Sequence, residues 1–531
     1  MESLSRQSTG RLSSRSTASS YNPTKQSLYL QLKSELVDCD KKKKTQHFSR
    51  FSFLPLDAID KIITRDIVKA NSSWTTTIFN PSLPSQIAER APKVYAILAL
   101  CEAEAVVWDL FGEGLTDEHL PLARVQDKGH SNVLVACKDK TKTNKFNSFA
   151  KLGKNTVVDN FLRNQWLVLA PVLTTPGEHK EINRDAPLPF YDIEKISSNT
   201  GSTVYRGKLH AAHLVINYTV QIAIKDYVED KAFHKEKENL EVIQTIKHPH
   251  LIKHTATFEQ GSLFYVTFPW ADGGNLSEFW KHDPNALPTR DRELFMWSLQ
   301  QMLGLVDALW ALHRVNCRHG DLKPENILHF KTSGESTTQN SRYGTLVIAD
   351  VGVSRVHHQA TELRHDPTNT KATTPCYEAP EVEFQKTAPR GRRYDMWSVG
   401  CMYMEFIIWL LYGYKAIDNF RELRRPNDDP FAQKAAYYKR TLEGTAVIHP
   451  AVSRGLEALR NDPRCREGTG LAALISLIAN DLLLIEWEQR AEAEDLRNKF
   501  REILEKAEED PDYLVRRIEP PPRVPDVFTL G

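Results

Sequence analysis

The residues best equipped for chemistry lie together past the middle of the chain. Arg318–Asn326 reads RHGDLKPEN, so an acid, a base and an amide fall within six residues, with a proline stiffening the turn between them. Such a trio suits phosphoryl transfer, where charge and positioning matter more than covalent chemistry. Asp321 can accept the proton of an attacking hydroxyl. Lys323 can neutralise a migrating phosphoryl group. Asn326, five residues after Asp321, can hold a Mg²⁺ ion. The same string can also be a surface turn, so its meaning depends on partners arriving in the right order.

Those partners must sit on strands and helices around the loop. Gln221–Lys225 (QIAIK) is an apolar strand ending in a lysine, and a lysine on a buried strand needs an anionic partner. The next stretch, Lys231–Ile246, has the helical spacing of Leu240, Ile243 and Ile246. Leu294–Leu312 reads as a long buried helix leading into the loop. Beyond the loop, a polar insertion at Lys331–Gly344 precedes an apolar strand, Leu346–Ala349, which ends in Asp350.

In this order the pieces resemble the eukaryotic protein kinase superfamily. Arg318–Asn326 matches the catalytic loop H-R-D-L-x-x-x-N, with Gly320 in place of the arginine. Ala223-Ile224-Lys225 matches V-A-I-K, and Asp350-Val351-Gly352 matches D-F-G with valine for phenylalanine. Thr373–Glu381 is similar to the segment closing the activation loop, and Asp395–Gly400 to D-x-W-S-x-G, whose aspartate caps the catalytic-loop backbone. Arg490 stands where the family keeps an arginine paired with Glu381. Tyr191–Lys208 stands where a glycine-rich hairpin covers the phosphates. Aligned on Val204, it puts Ser197, Asn199 and Ser202 at the glycine positions, with only Gly201 a glycine, one place out of register. Lys323 and Thr374 are of the serine/threonine type. The helical N-terminal segment, Phe161–Pro171, the HGDLKPEN loop and PWADGGNL together look like a group of kinases from filamentous fungi.

The resemblance implies an α+β, bilobal protein-kinase-like fold over residues 187–510, with a small β-rich N-lobe and a large helical C-lobe. It implies ATP and Mg²⁺ as cofactors and protein serine or threonine hydroxyls as acceptors. Asp321 and Lys323 would be catalytic, and Asn326 and Asp350 would hold the metal. Lys225 would grip the α- and β-phosphates, tethered by a glutamate. Counting forward from Phe233 selects Glu236 for that role; counting back from His248-Pro249-His250 selects Asn239, which cannot form the ion pair. Glu236 is favoured, with Glu238 second. Val204, Ala223 and Leu328 would line the nucleotide site. In Ser262–Leu276, Phe268 would guard the back of the adenine pocket, and Pro269 and Trp270 would enter the hinge. Ala271 would offer its N–H and C=O to adenine, and Asn275 would reach the ribose. Gly320 makes this a non-RD loop, so phosphorylation of Thr370, Thr373 or Thr374 should not be required. Glu325 suits either a basic residue near the phosphorylated site or a purely local role. The alternative is a pseudokinase scaffold that signals by docking without efficient transfer.

The rest of the chain sets limits. At 531 residues a single core is not expected. A formal net charge of +1 gives no electrostatic argument for nucleic acid or membrane. Seven cysteines without C-x-x-C spacing, and no secretory signal, point to a reduced intracellular compartment, cytoplasmic with the nucleus open through the Lys41–Lys44 run. Met396–Tyr414 approaches membrane-spanning length but contains Ser398 and Glu405 and reads as a core helix. Residues 1–50 are Ser-, Arg- and Lys-rich and read as a disordered tail. Residues 51–180 read as a helical domain with a possible regulatory partner. Within it, one helix runs from Pro92 to a stop at Gly112, and Asp127–Asn155 is a loop. Residues 511–531 are a Pro-containing tail. His357, His358 and His365 are solvated loop residues rather than metal ligands.

Overall fold

In a computed structural model, the described residues are 27–529, apart from 43, 46, 72–79, 126–131, 140, 142, 154, 199–200, 216–220, 283–291, 332–342, 351–354, 357–375, 385–390, 426–434, 511, 517 and 519–520. Asn199, Val351, the three loop threonines and His357, His358 and His365 therefore lie outside them. The chain divides into two compact units: residues 1–172 with 185–191 and 210–213, and residues 173–184, 192–209 and 214–531.

The first unit holds helices α1 (Leu28–Ser34), α2 (Leu56–Ile62), α3 (Arg65–Ala70), α4 (Leu83–Arg90), α5 (Pro92–Ala99), α6 (Val107–Gly112) and α7 (Asn155–Asn164). Helix α5 is apolar all round, and Val94 to Ala99 are all buried, so it forms the centre of the unit. Pro92 opens it, and the Asp117 carboxylate accepts the backbone N–H groups of Lys93 and Val94, each at 3.0 Å.

Three expectations for this region need correction. The helix expected from Pro92 to Gly112 is broken after Ala99, where Glu102 adopts φ +52° and the chain turns before α6. The stretch expected to be a loop contributes strands β4 (Leu134–Ala136) and β5 (Lys145–Phe146), which join β3 (Leu122–Arg124) in an antiparallel sheet. Strands this short carry too little alternation to be read from sequence. The composition of residues 1–50 predicts a disordered tail, but α1 is capped by Ser27, and Leu32, Cys39 and Phe48 are buried. Here β1 (Val37–Asp38) pairs with β2 (Ser52–Phe53). A few well-spaced apolar residues outweigh the polar average.

The second unit begins with a six-stranded sheet in the order β6-β10-β11-β9-β8-β7. The strands are β6 (Glu178–Ile182), β7 (Phe190–Ser198), β8 (Ser202–Leu209), β9 (Gln221–Tyr227), β10 (Ala256–Gln260) and β11 (Leu263–Pro269). Helix α8 (Asp230–Thr245) follows β9. Beyond the sheet come α9 (Leu276–Lys281), α10 (Arg292–Arg314), the short strand β12 (Cys317–Arg318) and the antiparallel pair β13 (Ile327–Phe330) and β14 (Thr345–Ile348). Then follow α11 (Glu381–Phe384), α12 (Arg393–Tyr412), α13 (Tyr414–Glu422), α14 (Pro450–Asn461), α15 (Gly470–Leu477) and α16 (Ala493–Glu509). A β-rich first part and a helical remainder give the α+β architecture.

Helix α12 is buried without interruption from Tyr394 to Leu411 and ends at Gly413, whose φ of +85° suits glycine. It contains most of the run that approached membrane-spanning length. No described helix is long and apolar enough to cross a membrane. The C-terminal tail holds a further surprise. Phe528 is fully buried against the rings of Tyr412 (5.2 Å) and Phe420 (5.8 Å), and its carbonyl accepts the Asn419 amide at 2.9 Å. One aromatic residue after a proline run gives no periodic signal, which is why the tail read as plain.

Candidate active site

The floor of the site is built from backbone bonds outward. Asp395, at the start of α12, is completely buried. Its carboxylate accepts the backbone N–H groups of His319 (2.9 Å) and Gly320 (2.8 Å) and sits 2.9 Å from His313 Nε2. Burial alone pushes such a carboxyl up; the hydrogen bond and charge of His313 overcome that and hold Asp395 below the usual carboxylate range. Gly320 lies at φ +84°, a left-handed conformation natural to glycine and costly for the arginine that the family places there. His319 donates from Nε2 to the Ala349 carbonyl (2.9 Å) and accepts at Nδ1 from the Asp321 N–H (3.3 Å). His313 and His319 were not singled out from the sequence. His313 gave no local signal; His319 lies inside the loop string itself.

Asp321 is then oriented on three sides. Lys323 Nζ lies 2.7 Å from its Oδ2, and Asn326 Nδ2 donates to its carbonyl (2.7 Å) and to Oδ2 (3.2 Å). Both Asn326 contacts use the NH₂ group, which turns the amide oxygen away from Asp321 as a potential metal ligand. The β13–β14 register pairs Ile327 with Ile348, and Ala349 N–H donates to the Asn326 carbonyl at 2.9 Å. That carries Asp350 to the same end of the ladder as Asn326. Asp350 takes φ +56°, uncommon for a residue other than glycine.

Lys225 comes from the sheet. Its ammonium lies 3.1 Å from Asp350 Oδ1 and 3.5 Å from Glu236 Oε1. Of the candidates on α8, Glu236 is the one that faces it. Burial would lower the Lys225 pKa, but the charges of Glu236 and then Asp350 more than offset that and raise it. Glu236 is pushed up by burial and partly drawn back by Lys225, while Asp350 is held low chiefly by Lys225. The ring of Tyr227, two residues along the same strand face, lies 5.3 Å from the ammonium. Sequence reading missed Tyr227, although period-two alternation from Lys225 would have found it.

Val204 stands opposite Lys225 in the register, and Ala223 stands opposite Phe268, so all four share one face of the sheet. Leu328 bridges to Asn275 on the other side. In the segment after β11 the Ala271 carbonyl accepts from Gly274 N–H at 3.2 Å, which leaves its second lone pair, and its N–H has no partner among the described residues. The Asn275 side chain caps α9: its Oδ1 accepts from Glu278 N–H, and Glu278 Oε2 accepts from Asn275 N–H, each at 3.0 Å. A ribose contact would have to use its remaining amide group. Gly273 has no room for a Cβ, which would collide with the ring and the carbonyl of His329.

A protein kinase domain model matches residues 193–425. Relatives include a calcium/calmodulin-dependent protein kinase of Metarhizium anisopliae, 29% identical over 39% of this chain and 48% of its own length. The serine/threonine-protein kinase ULK3 of Xenopus laevis is 28% identical over 60% of this chain and 60% of its own length. The serine/threonine-protein kinase Nek1 of Mus musculus is 27% identical over 34% of this chain and 13% of its own length. The chain spans less than two thirds of each of these relatives. Residues 193–425 thus match a protein kinase domain, and the named relatives include serine/threonine kinases. The donor set of the kinase domain fits a hard divalent cation: a carboxylate at Asp350 and an amide oxygen at Asn326, at one end of one ladder. In the second unit the Arg490 guanidinium forks onto Glu381 with two bonds of 2.8 Å, fixing the start of α11.

Proposed function

We propose that the kinase domain transfers the γ-phosphate of ATP to serine and threonine hydroxyls of protein substrates. One observation carries the reading: Asp321, Lys323 and Asn326 are joined by direct hydrogen bonds, and Asp350, one residue past the ladder, meets Lys225 at 3.1 Å. Asp321 orients the acceptor hydroxyl and takes its proton as the oxygen–phosphorus bond forms. The bond from the γ-phosphorus to the bridging oxygen breaks, and ADP leaves. Lys323, beside Asp321, balances the charge that develops on the phosphoryl oxygens. Asn326 and Asp350 would hold Mg²⁺, which neutralises phosphate oxygens when bound. Lys225 holds the α- and β-phosphates and is itself aligned by Glu236. Val204, Ala223 and Leu328 enclose the adenine, and the Ala271 N–H meets its edge.

Position 320 supports a non-RD reading, because no arginine stands there to receive a loop phosphate. Alanine at Thr370, Thr373 and Thr374 together should leave the rate within about twofold; loss of activity rescued by an acidic residue would contradict this. Seven unpaired cysteines fit an intracellular, cytoplasmic setting with the nucleus open. The first unit is the place for a regulatory partner.

The degenerate hairpin favours a second reading, a pseudokinase scaffold. Incubation with γ-labelled ATP and Mg²⁺, beside a folded Asp321→Asn control, separates the two. Label on serine and threonine with the unaltered chain alone supports transfer. No label above the control, with both proteins folded, leaves the scaffold.

A further inference from the structure

Helix α8 carries the glutamate that aligns Lys225, yet little of its own surface can hold it in place. Of its sixteen residues only Phe233, Glu236, Asn239, Leu240 and Ile243 are buried. Phe233 is the anchor at its N-terminal end, stacked on Phe264 at 4.9 Å and edge-on to Tyr227 at 6.0 Å. It stands three residues before Glu236, so the two lie on one face and move together.

Strand β6 reaches this helix at two places. The His179 ring lies 6.4 Å from Phe233, and its Nδ1 is fixed 2.9 Å from Thr257 Oγ1 on β10. Gly177, just before the strand, faces Gln244 near the other end of α8: a Cβ there would fall 2.7 Å from Gln244 Nε2. Gly177 takes φ +74°, and both its backbone groups are committed. Its N–H donates to the Thr255 carbonyl at 2.9 Å, and its carbonyl accepts from His254 Nε2 at 3.1 Å. The strand is pinned along its length by five parallel pairings with β10, from Glu178–Ala256 to Ile182–Gln260. Ahead of it, Thr174 donates from N–H (2.6 Å) and Oγ1 (3.1 Å) to the Glu178 carboxylate. The two contacts with α8 are eleven residues apart, and Glu236 lies between them.

We propose that β6 is a brace for α8, and that His179 and Gly177 are positioning residues for the Lys225–Glu236 ion pair. The consequence for turnover rests on the kinase reading; the brace itself does not. Without the His179 ring and its bond to Thr257, Phe233 loses one wall, and Glu236 can swing away from Lys225. An alanine at Gly177 would strain the positive-φ turn that leads into β6, while the end of the Gln244 side chain can shift aside.

Hydrogen exchange on the full chain reads the brace without reference to catalysis, and steady-state kinetics in ATP read its consequence. His179→Ala should speed exchange in Asp230–Thr245 about tenfold while α10 keeps its protection. It should raise KM for ATP several-fold with kcat within about twofold, because Lys225 acts on the bound phosphates. His179→Phe restores a ring against Phe233 and should return both readouts most of the way. Gly177→Ala, which strains the turn that leads into β6, provides a second test should His179→Ala fail to fold. Exchange that rises equally in α8 and α10 would make β6 a general stabiliser and overturn the proposal. So would a loosened α8 with an unchanged KM in an active enzyme. If the unaltered chain transfers no phosphate, the kinase reading falls, and the brace stands or falls on the exchange alone.

Discussion

The backbone of the catalytic loop is gripped by buried side chains and carbonyls far away in the chain; the turn of the β7–β8 hairpin is held by fewer and more exposed side-chain bonds. Asp395 grips the loop backbone from 75 and 76 residues away, and His319 ties it to Ala349 across 30. The hairpin has instead an exposed contact between the hydroxyls of Ser198 and Thr203 at 2.9 Å, five residues apart, and one part-buried bond from Thr203 N–H to the Asp226 carboxylate at 2.8 Å. Bonds in a buried, low-dielectric network reinforce one another and resist small changes. Exposed local bonds compete with water and give way. The proposed chemistry is therefore concentrated where the fold is most redundant.

The largest effect should come from breaking the floor. Asp395→Ala removes a buried charge that three groups share, so it should cost about 3–5 kcal/mol of stability, read as a shift in denaturant midpoint, together with nearly all activity. An Asp395→Ala chain that stays fully stable would remove the floor's claim to redundancy. Next, Asn326→Ala should raise the Mg²⁺ concentration for half-maximal transfer by about tenfold with little change in melting temperature, since Asp350 remains as a ligand. A metal titration showing no shift would take Asn326 out of the metal site. The smallest effect belongs to the hairpin. Ser197→Gly with Ser202→Gly should lower KM for ATP about two- to fivefold and leave kcat unchanged, because glycine lets the backbone approach the phosphates. A change in kcat instead would mean that the hairpin takes part in the chemistry and that the contrast is wrong.

The catalytic loop was the part most legible in the sequence. Asp321, Lys323 and Asn326 are neighbours in the chain, and their order with the strand that ends in Asp350 carried the resemblance. Glu236 was ambiguous because α8 could be counted from either end, and only its buried face decides. The role of Asn275 was hidden by Glu278, three residues on, which makes it a helix cap. Strand β6 (EHKEI) is charged and binds through its backbone, so neither alternation nor composition marks it. The break after Ala99 depends on a positive φ at Glu102, which side-chain identity does not announce. What sequence conveys well here is charge at fixed spacing; what it conveys poorly is backbone pairing at an edge.

The central claim, an intact floor beneath a loose hairpin, is tested most directly by separating kcat from KM for ATP. Initial rates on a mixed serine/threonine peptide library should saturate in ATP·Mg²⁺ with kcat in the range of about 1–100 s⁻¹. KM for ATP should lie toward or above about 1 mM, the upper end of the usual range. A chain that binds nucleotide to saturation yet turns over no faster than Asp321→Asn would contradict the account.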